Sequence, residues 1–212
     1  MDGLDLLKKD WKKREGSIPQ LSYDEIYKML WKRSSSIVKW IFVISILEFL
    51  FWALITIFWT DDEYWNSVER VHLKEFTVAT YLINYAITFF FIYCFYKNYR
   101  RISSTDNVAK LMKNILRTRK TVKYYIGYIL ISTALITLIY TYFMMDYHVT
   151  NTVVEDVEKY NFTPIQWVKF TGIIIGGLAV FLGLIWLFYK VLYGILLRRL
   201  NKNYKELKKL EL

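Results

Sequence analysis

Four long apolar runs limit what this chain can fold into. A helix that crosses about 30 Å of hydrocarbon needs about 20 mostly apolar residues. Residues 37–59, 77–96, 124–145 and roughly 168–197 reach that length. Lys39 and Glu48 are the charges of the first run and Lys169 and Lys190 those of the fourth, while the second and third carry none. A water-facing helix shows a polar stripe every third or fourth residue, and these runs show none. The pattern predicts an all-α membrane protein: a four-transmembrane-helix bundle with cytoplasmic amphipathic helices. Residues 1–36 read as a basic cytoplasmic N-terminal segment, 37–197 as the transmembrane domain and 198–212 as a basic cytoplasmic tail.

Charge sets the expected orientation. Residues 1–39, 97–123 and 190–212 hold 9, 9 and 7 Lys or Arg, which is 25 of the 29 in the chain. The intervening loops, with Lys169, hold 4 basic residues and 9 acids, among them Asp61, Asp62, Glu63, Asp146, Glu155 and Asp156. Basic loops stay in the cytoplasm. Both ends and the middle loop are therefore expected inside, and the two acidic loops outside. Trp40, Trp59, Trp65, Tyr96, Tyr124 and Trp167 stand where interface anchors belong. No secretory leader precedes the first run, and the single cysteine, Cys94, cannot form an internal disulfide. The richness in Lys, Ile, Tyr and Asn suits a bacterial inner membrane.

Three basic amphipathic stretches flank the spans. Leu4, Leu7 and Trp11 recur at helical spacing beside Lys8, Lys9, Lys12 and Lys13. Ser22-Tyr-Asp-Glu25 is a capping box that opens a second helix. Ser103-Ser-Thr-Asp106 opens a third, with Val108, Leu111, Met112 and Ile115 as its apolar stripe. Each either lies on the membrane surface or extends the following span inward. Basic residues beside a span attract anionic lipid head groups. Residues 1–35 are the best candidate for gripping a cytoplasmic protein, and no recognition motif supports nucleic-acid binding. Ser22–Met29 also aligns with Ser104–Leu111, and Phe95-Tyr-Lys97 echoes Phe188-Tyr-Lys190. Both units share one orientation, which suggests a two-fold parallel internal repeat.

Motifs for chemistry are sparse. His72 and His148 lie one in each acidic loop, and no HExxH or HxxxH pair accompanies them. No GxSxG, glycine-rich phosphate loop or carboxylate pair on one helical face is present. Neither a catalytic residue nor a cofactor is expected. Thr163-Pro-Ile-Gln166 reads as the start of the fourth helix. Gly172, Gly176, Ala179 and Gly183 then share one face of it, a seam for close helix approach within the chain or between two copies in a homodimer.

Glu48 is the sharpest feature, eleven residues from either edge of the first run. Carboxylates at that depth are costly and often functional. Protonated, it can donate one hydrogen bond and accept others, and Asn84 and Thr137 lie at comparable depth in other runs.

Leu21-Ser-Tyr-Asp-Glu-Ile-Tyr-Lys-Met-Leu-Trp-Lys-Arg-Ser-Ser-Ser-Ile-Val-Lys-Trp-Ile41 resembles uncharacterised four-span membrane proteins of Bacteroidetes, and Asp5-Leu-Leu-Lys-Lys-Asp-Trp11 fits the same group. Some members of that group carry a carotenoid-oxygenase label. Soluble carotenoid-cleaving enzymes hold iron with four histidines, whereas this chain has two. The resemblance thus implies the membrane class and no chemistry. The expected role is a non-enzymatic anchor or regulator of a cytoplasmic partner. The first rival is a small transporter or proton-coupled channel component using Glu48, and the second is a membrane-bound enzyme.

Overall fold

The computed structural model describes residues 8–9, 22–105, 107–151 and 164–210. Six helices follow in order: α1 (Tyr23–Trp59), α2 (Asp62–Arg70), α3 (Lys74–Ser103), α4 (Val108–Asn151), α5 (Pro164–Leu192) and α6 (Gly194–Leu210). Four stretches are long and apolar enough to cross a membrane: Tyr23–Trp59, Lys74–Ser103, Val108–Met145 and Thr171–Leu192. The stretch around Leu4–Trp11 lies outside the described residues except Lys8 and Lys9, and the second acidic loop, 152–163, lies outside them entirely.

The amphipathic stretches after Ser22 and Asn107 do not lie separately on a surface. They continue into the spans as α1 and α4, of 37 and 44 residues. At 1.5 Å per residue α1 is about 55 Å long, roughly 25 Å more than the hydrocarbon needs. The N-terminus of α1 is fixed by the expected capping box: Glu25 N–H donates to Ser22 Oγ at 3.3 Å, and Ser22 N–H donates to Glu25 at 2.8 Å. That backbone bond, with the Ser22 hydroxyl, holds the exposed Glu25 carboxyl below its usual pKa. At α4 the cap is Asn107, whose Oδ1 accepts from Ala109 N–H at 2.9 Å. Ser103 instead ends α3.

The hydrophobic core sits at the basic end of the bundle. Val38 and Ile41 of α1, Phe95 and Ile102 of α3, Leu111, Ile115 and Val122 of α4, and Leu200 and Leu207 of α6 are fully buried there. Residues 198–210 are therefore not a free tail. They belong to α6, whose apolar face docks on α1 and α4. Polar bonds pin this head together. Trp31 Nε1 donates to Ile102 O at 2.9 Å, which Thr105 N–H also reaches at 3.3 Å, and Tyr27 donates to Thr105 O at 3.2 Å, so two α1 side chains bond carbonyls at and just past the C-terminal end of α3. Arg119 Nη1 donates to Asn201 Oδ1 at 2.7 Å, and Asn203 Nδ2 donates to the buried Ser34 Oγ at 3.1 Å.

The apolar halves of the four long helices pack more loosely. Ile57, Phe58, Leu82, Ile131, Ile173 and Val180 are all exposed. Side chains of this kind facing outward from every helix suit hydrocarbon rather than water. At the acidic end α2 lies across α3, burying Val68, Val71 and Leu73 against Tyr64, Phe76 and Tyr140. Burial and a hydrogen bond with Tyr81 push the Tyr64 phenol up to about 12. His72 closes α2 with a left-handed φ of 56°.

The fourth span divides where one helix is expected to run on to residue 197. α5 ends at Leu192 and α6 starts at Gly194, with Tyr193 between them. The bonds Tyr193 N–H to Tyr189 O and Leu197 N–H to Tyr193 O carry the chain across this join.

Candidate functional site

The buried side chains of α1 are Leu30, Ser34, Ile37, Val38, Ile41, Ser45 and Glu48. Successive spacings of mostly three and four residues place them on one face. Glu48 is the last of that stripe, so the helix aims its carboxylate inward with the core. It is 6% exposed.

Three tyrosines close around it. Tyr125, at the start of the apolar part of α4, donates its phenol to Glu48 Oε1 at 2.8 Å. Tyr189, near the end of α5, donates to the same oxygen. Tyr193, at the α5–α6 join, donates to Oε2 at 2.8 Å. Tyr189 and Tyr193 are four residues apart on one helical face, and their rings stack at 6.1 Å with an interplanar angle of 12°. Tyr125 meets both edge-on, at 6.0 and 6.2 Å. Phe91 and Phe95 of α3 back Tyr125 at 5.3 and 5.6 Å. All four long helices therefore contribute to the cage.

The chemistry of the cage follows from its donors. An ionised carboxylate only accepts hydrogen bonds and has room for about four; three phenols supply three. A phenol can also accept, so a protonated Glu48 could be housed by turning one hydroxyl, without moving a heavy atom. The cage can thus hold either form. It contains no cation.

The other residues singled out from the sequence lie elsewhere. Asn84 does not reach Glu48: its Oδ1 accepts from Tyr128 at 2.7 Å and its Nδ2 donates to Thr80 O at 2.9 Å. That pair ties α3 to α4. Thr137 is half-buried, and its carbonyl accepts from Thr141 Oγ1 at 2.8 Å. Gly172, Gly176, Ala179 and Gly183 face outward on α5, and a Cβ added at any of the three glycines would meet nothing within 4 Å. Among the described residues, no other helix packs against that face. Cys94 is half-buried and free. His148 lies where side chains are not described, and among the described residues no three His, Cys, Asp or Glu side chains gather around a common point.

The tyrosines are what sequence reasoning missed. Tyr125 and Tyr193 are not singled out by the sequence, and Tyr189 enters only through the Phe188-Tyr-Lys190 echo, whereas Tyr124 and Tyr96 read as interface anchors. The exposed Tyr124 and Tyr96 fit that role, whereas the cage tyrosines are nearly fully buried.

A family model described as Domain of unknown function (DUF8845) matches residues 24–212. The chain belongs to that family. The match begins at the first turn of α1 and takes in both the cage and the whole basic head. No curated protein and no solved structure matches the chain.

Proposed function

We propose that this is a multi-pass protein of the bacterial inner membrane whose basic head, in the cytoplasm, anchors or regulates a soluble partner without catalysing a reaction. The observation that supports this most is where the packing lies. The tightly packed core lies at the basic end, built from α6, the extensions of α1, α3 and α4, and the adjoining ends of the apolar runs. A chain whose only task was to span the bilayer would need no such head. The bacterial assignment leans on composition and on the resemblance to Bacteroidetes proteins, and the orientation leans on the 25 basic residues of segments 1–39, 97–123 and 190–212.

The cage favours a structural role for Glu48 within this reading. Its two oxygens are engaged by three protein donors from two segments, α4 and the α5–α6 join. It locks the start of the head to the spans. The rival reading, proton handling, draws on the same cage, because phenols beside a carboxylate can pass a proton between donor and acceptor roles.

Site-specific photocrosslinking in living cells tests the proposal. A crosslinker at Lys113 or Lys205, both exposed on the head, should trap one defined soluble protein, whereas one at Asn66 on α2 should not. Failure at every exposed head position, with Glu48→Gln abolishing proton-driven uptake in vesicles, would replace the anchor by a transporter.

A further inference from the structure

Between α1 and α6 the head opens into a cleft of about 670 Å³. The two helices run in opposite senses along it, which sorts its lining by height. Trp40 and Leu196 stand at the end nearest the spans, where the apolar runs meet the head. Lys32, Arg33, Arg199 and Lys202 stand further out. Lys202 lies 4.0 Å from Glu206 on the same helix; the other three have no ion-pair partner among the described residues. Asn203, bonded to Ser34, fixes the spacing of the two walls.

Three cations without an acid partner, lining the cleft beside Lys202, leave a strong local field for an anion. Two are arginines, whose guanidinium forks match phosphate oxygens in pairs. We propose that this cleft binds the phosphate-bearing head group of an anionic glycerophospholipid, with the acyl chains leaving past Trp40 and Leu196. The sorting of the lining favours a lipid over free phosphate: an inorganic ion would use the cations alone, whereas the apolar end provides the exit that a two-tailed molecule needs. Basic clefts between spans at the cytoplasmic face are suited to such head groups. The assignment rests on the apolar helices lying in a bilayer, with the head at its cytoplasmic surface.

Full-length protein in phosphatidylcholine nanodiscs containing a minor fraction of cardiolipin or phosphatidylglycerol provides the test, with retained lipid read by native mass spectrometry. The wild type should retain the anionic lipid in preference to phosphatidylcholine. Each cation removed should weaken that retention about fivefold, so Arg33→Gln with Arg199→Gln should weaken it about twenty-five-fold. Lys113→Gln with Lys205→Gln, two exposed head charges outside the cleft, should leave it nearly unchanged. Equal loss in both double variants would mean diffuse attraction and overturn the site. Displacement of the lipid by inorganic phosphate alone would reduce the cleft to an ion site, and preferential capture of polyglutamate would make it a peptide site. Failure of the wild type to enter nanodiscs at all would instead remove the membrane reading.

Discussion

Tyr193 donates its phenol to Glu48 Oε2 at 2.8 Å across 145 positions of sequence. Glu48 belongs to the first span, and Tyr193 stands at the point where the last span becomes the head helix α6. One bond therefore closes the helix bundle at the level where the apolar and basic halves meet.

Removing the acceptor should cost more than removing a donor. Tyr193→Phe keeps the ring stack and deletes one hydrogen bond to a charged or chargeable group, an expected loss of about 1.5–3 kcal/mol. Glu48→Leu strands three buried phenols at once and should lower the melting temperature in detergent further than any single Tyr→Phe change. Glu48→Gln should be tolerated, because its carbonyl can take Tyr125 and Tyr189 while its amide donates to a turned Tyr193. Melting curves of the three variants order these effects, and a Gln variant as damaged as the Leu variant would contradict the cage.

Docking of α6 gives a separate prediction. Asn203 and Ser34 are both buried and bonded to each other at 3.1 Å. Asn203→Ala leaves Ser34 without that donor, at about 1–3 kcal/mol. Amide exchange in residues 194–210 should accelerate while exchange in residues 74–103 stays as it was. Acceleration spread evenly over the whole chain would show that α6 is not an independently docked element.

The exposed glycine face reverses the usual expectation for a GxxxG. A Cβ at Gly176 meets no atom within 4 Å, and Gly176→Ala replaces a poor helix former, so the monomer should be as stable or gain up to about 1 kcal/mol; Gly176→Leu, on the same outward face, should likewise not harm it. A fall in oligomer mass by light scattering, with monomer melting intact, would assign the face to a second copy.

His72 adopts a φ of 56° without being glycine. L-residues bear about 1–2 kcal/mol in that region, and His72→Gly should recover part of it. Chemical denaturation with the acidic-end Trp65 as reporter would show the gain; a loss would mean that the imidazole makes a bond outweighing the strain.

Topology is checked by labelling. In a Cys94→Ser background, a cysteine at Asn66 should react with an impermeant maleimide added to intact cells, and one at Ser104 should not. Labelling at Ser104 alone would invert the orientation.

Element type was legible because length and charge segregation decide it, whereas extent was not. The apolar runs 77–96 and 124–145 lie inside the longer candidate spans Lys74–Ser103 and Val108–Met145, because the charged flanks continue the same helices. The capping box at Ser22 also announced the start of α1. What the sequence concealed was tertiary. Residues 198–210 look like a solvated basic tail by composition, yet Leu200, Asn203 and Leu207 repeat at three and four residues and bury one face. Glu48 was visible from its cost. Its partners were not, since tyrosines near basic ends serve equally as interface anchors, and only the packing of α4 against α5 tells Tyr125 from Tyr124.

All three partners of Glu48 come from the second half of the chain. A ribosome delivers them late: on the membrane reading proposed above, with the apolar helices inserting in chain order, Glu48 enters with α1 before Tyr189 and Tyr193 have been made. A chain stopped before α5 should accordingly be short-lived in pulse–chase, recognised by membrane proteases through the same residue that stabilises the finished molecule.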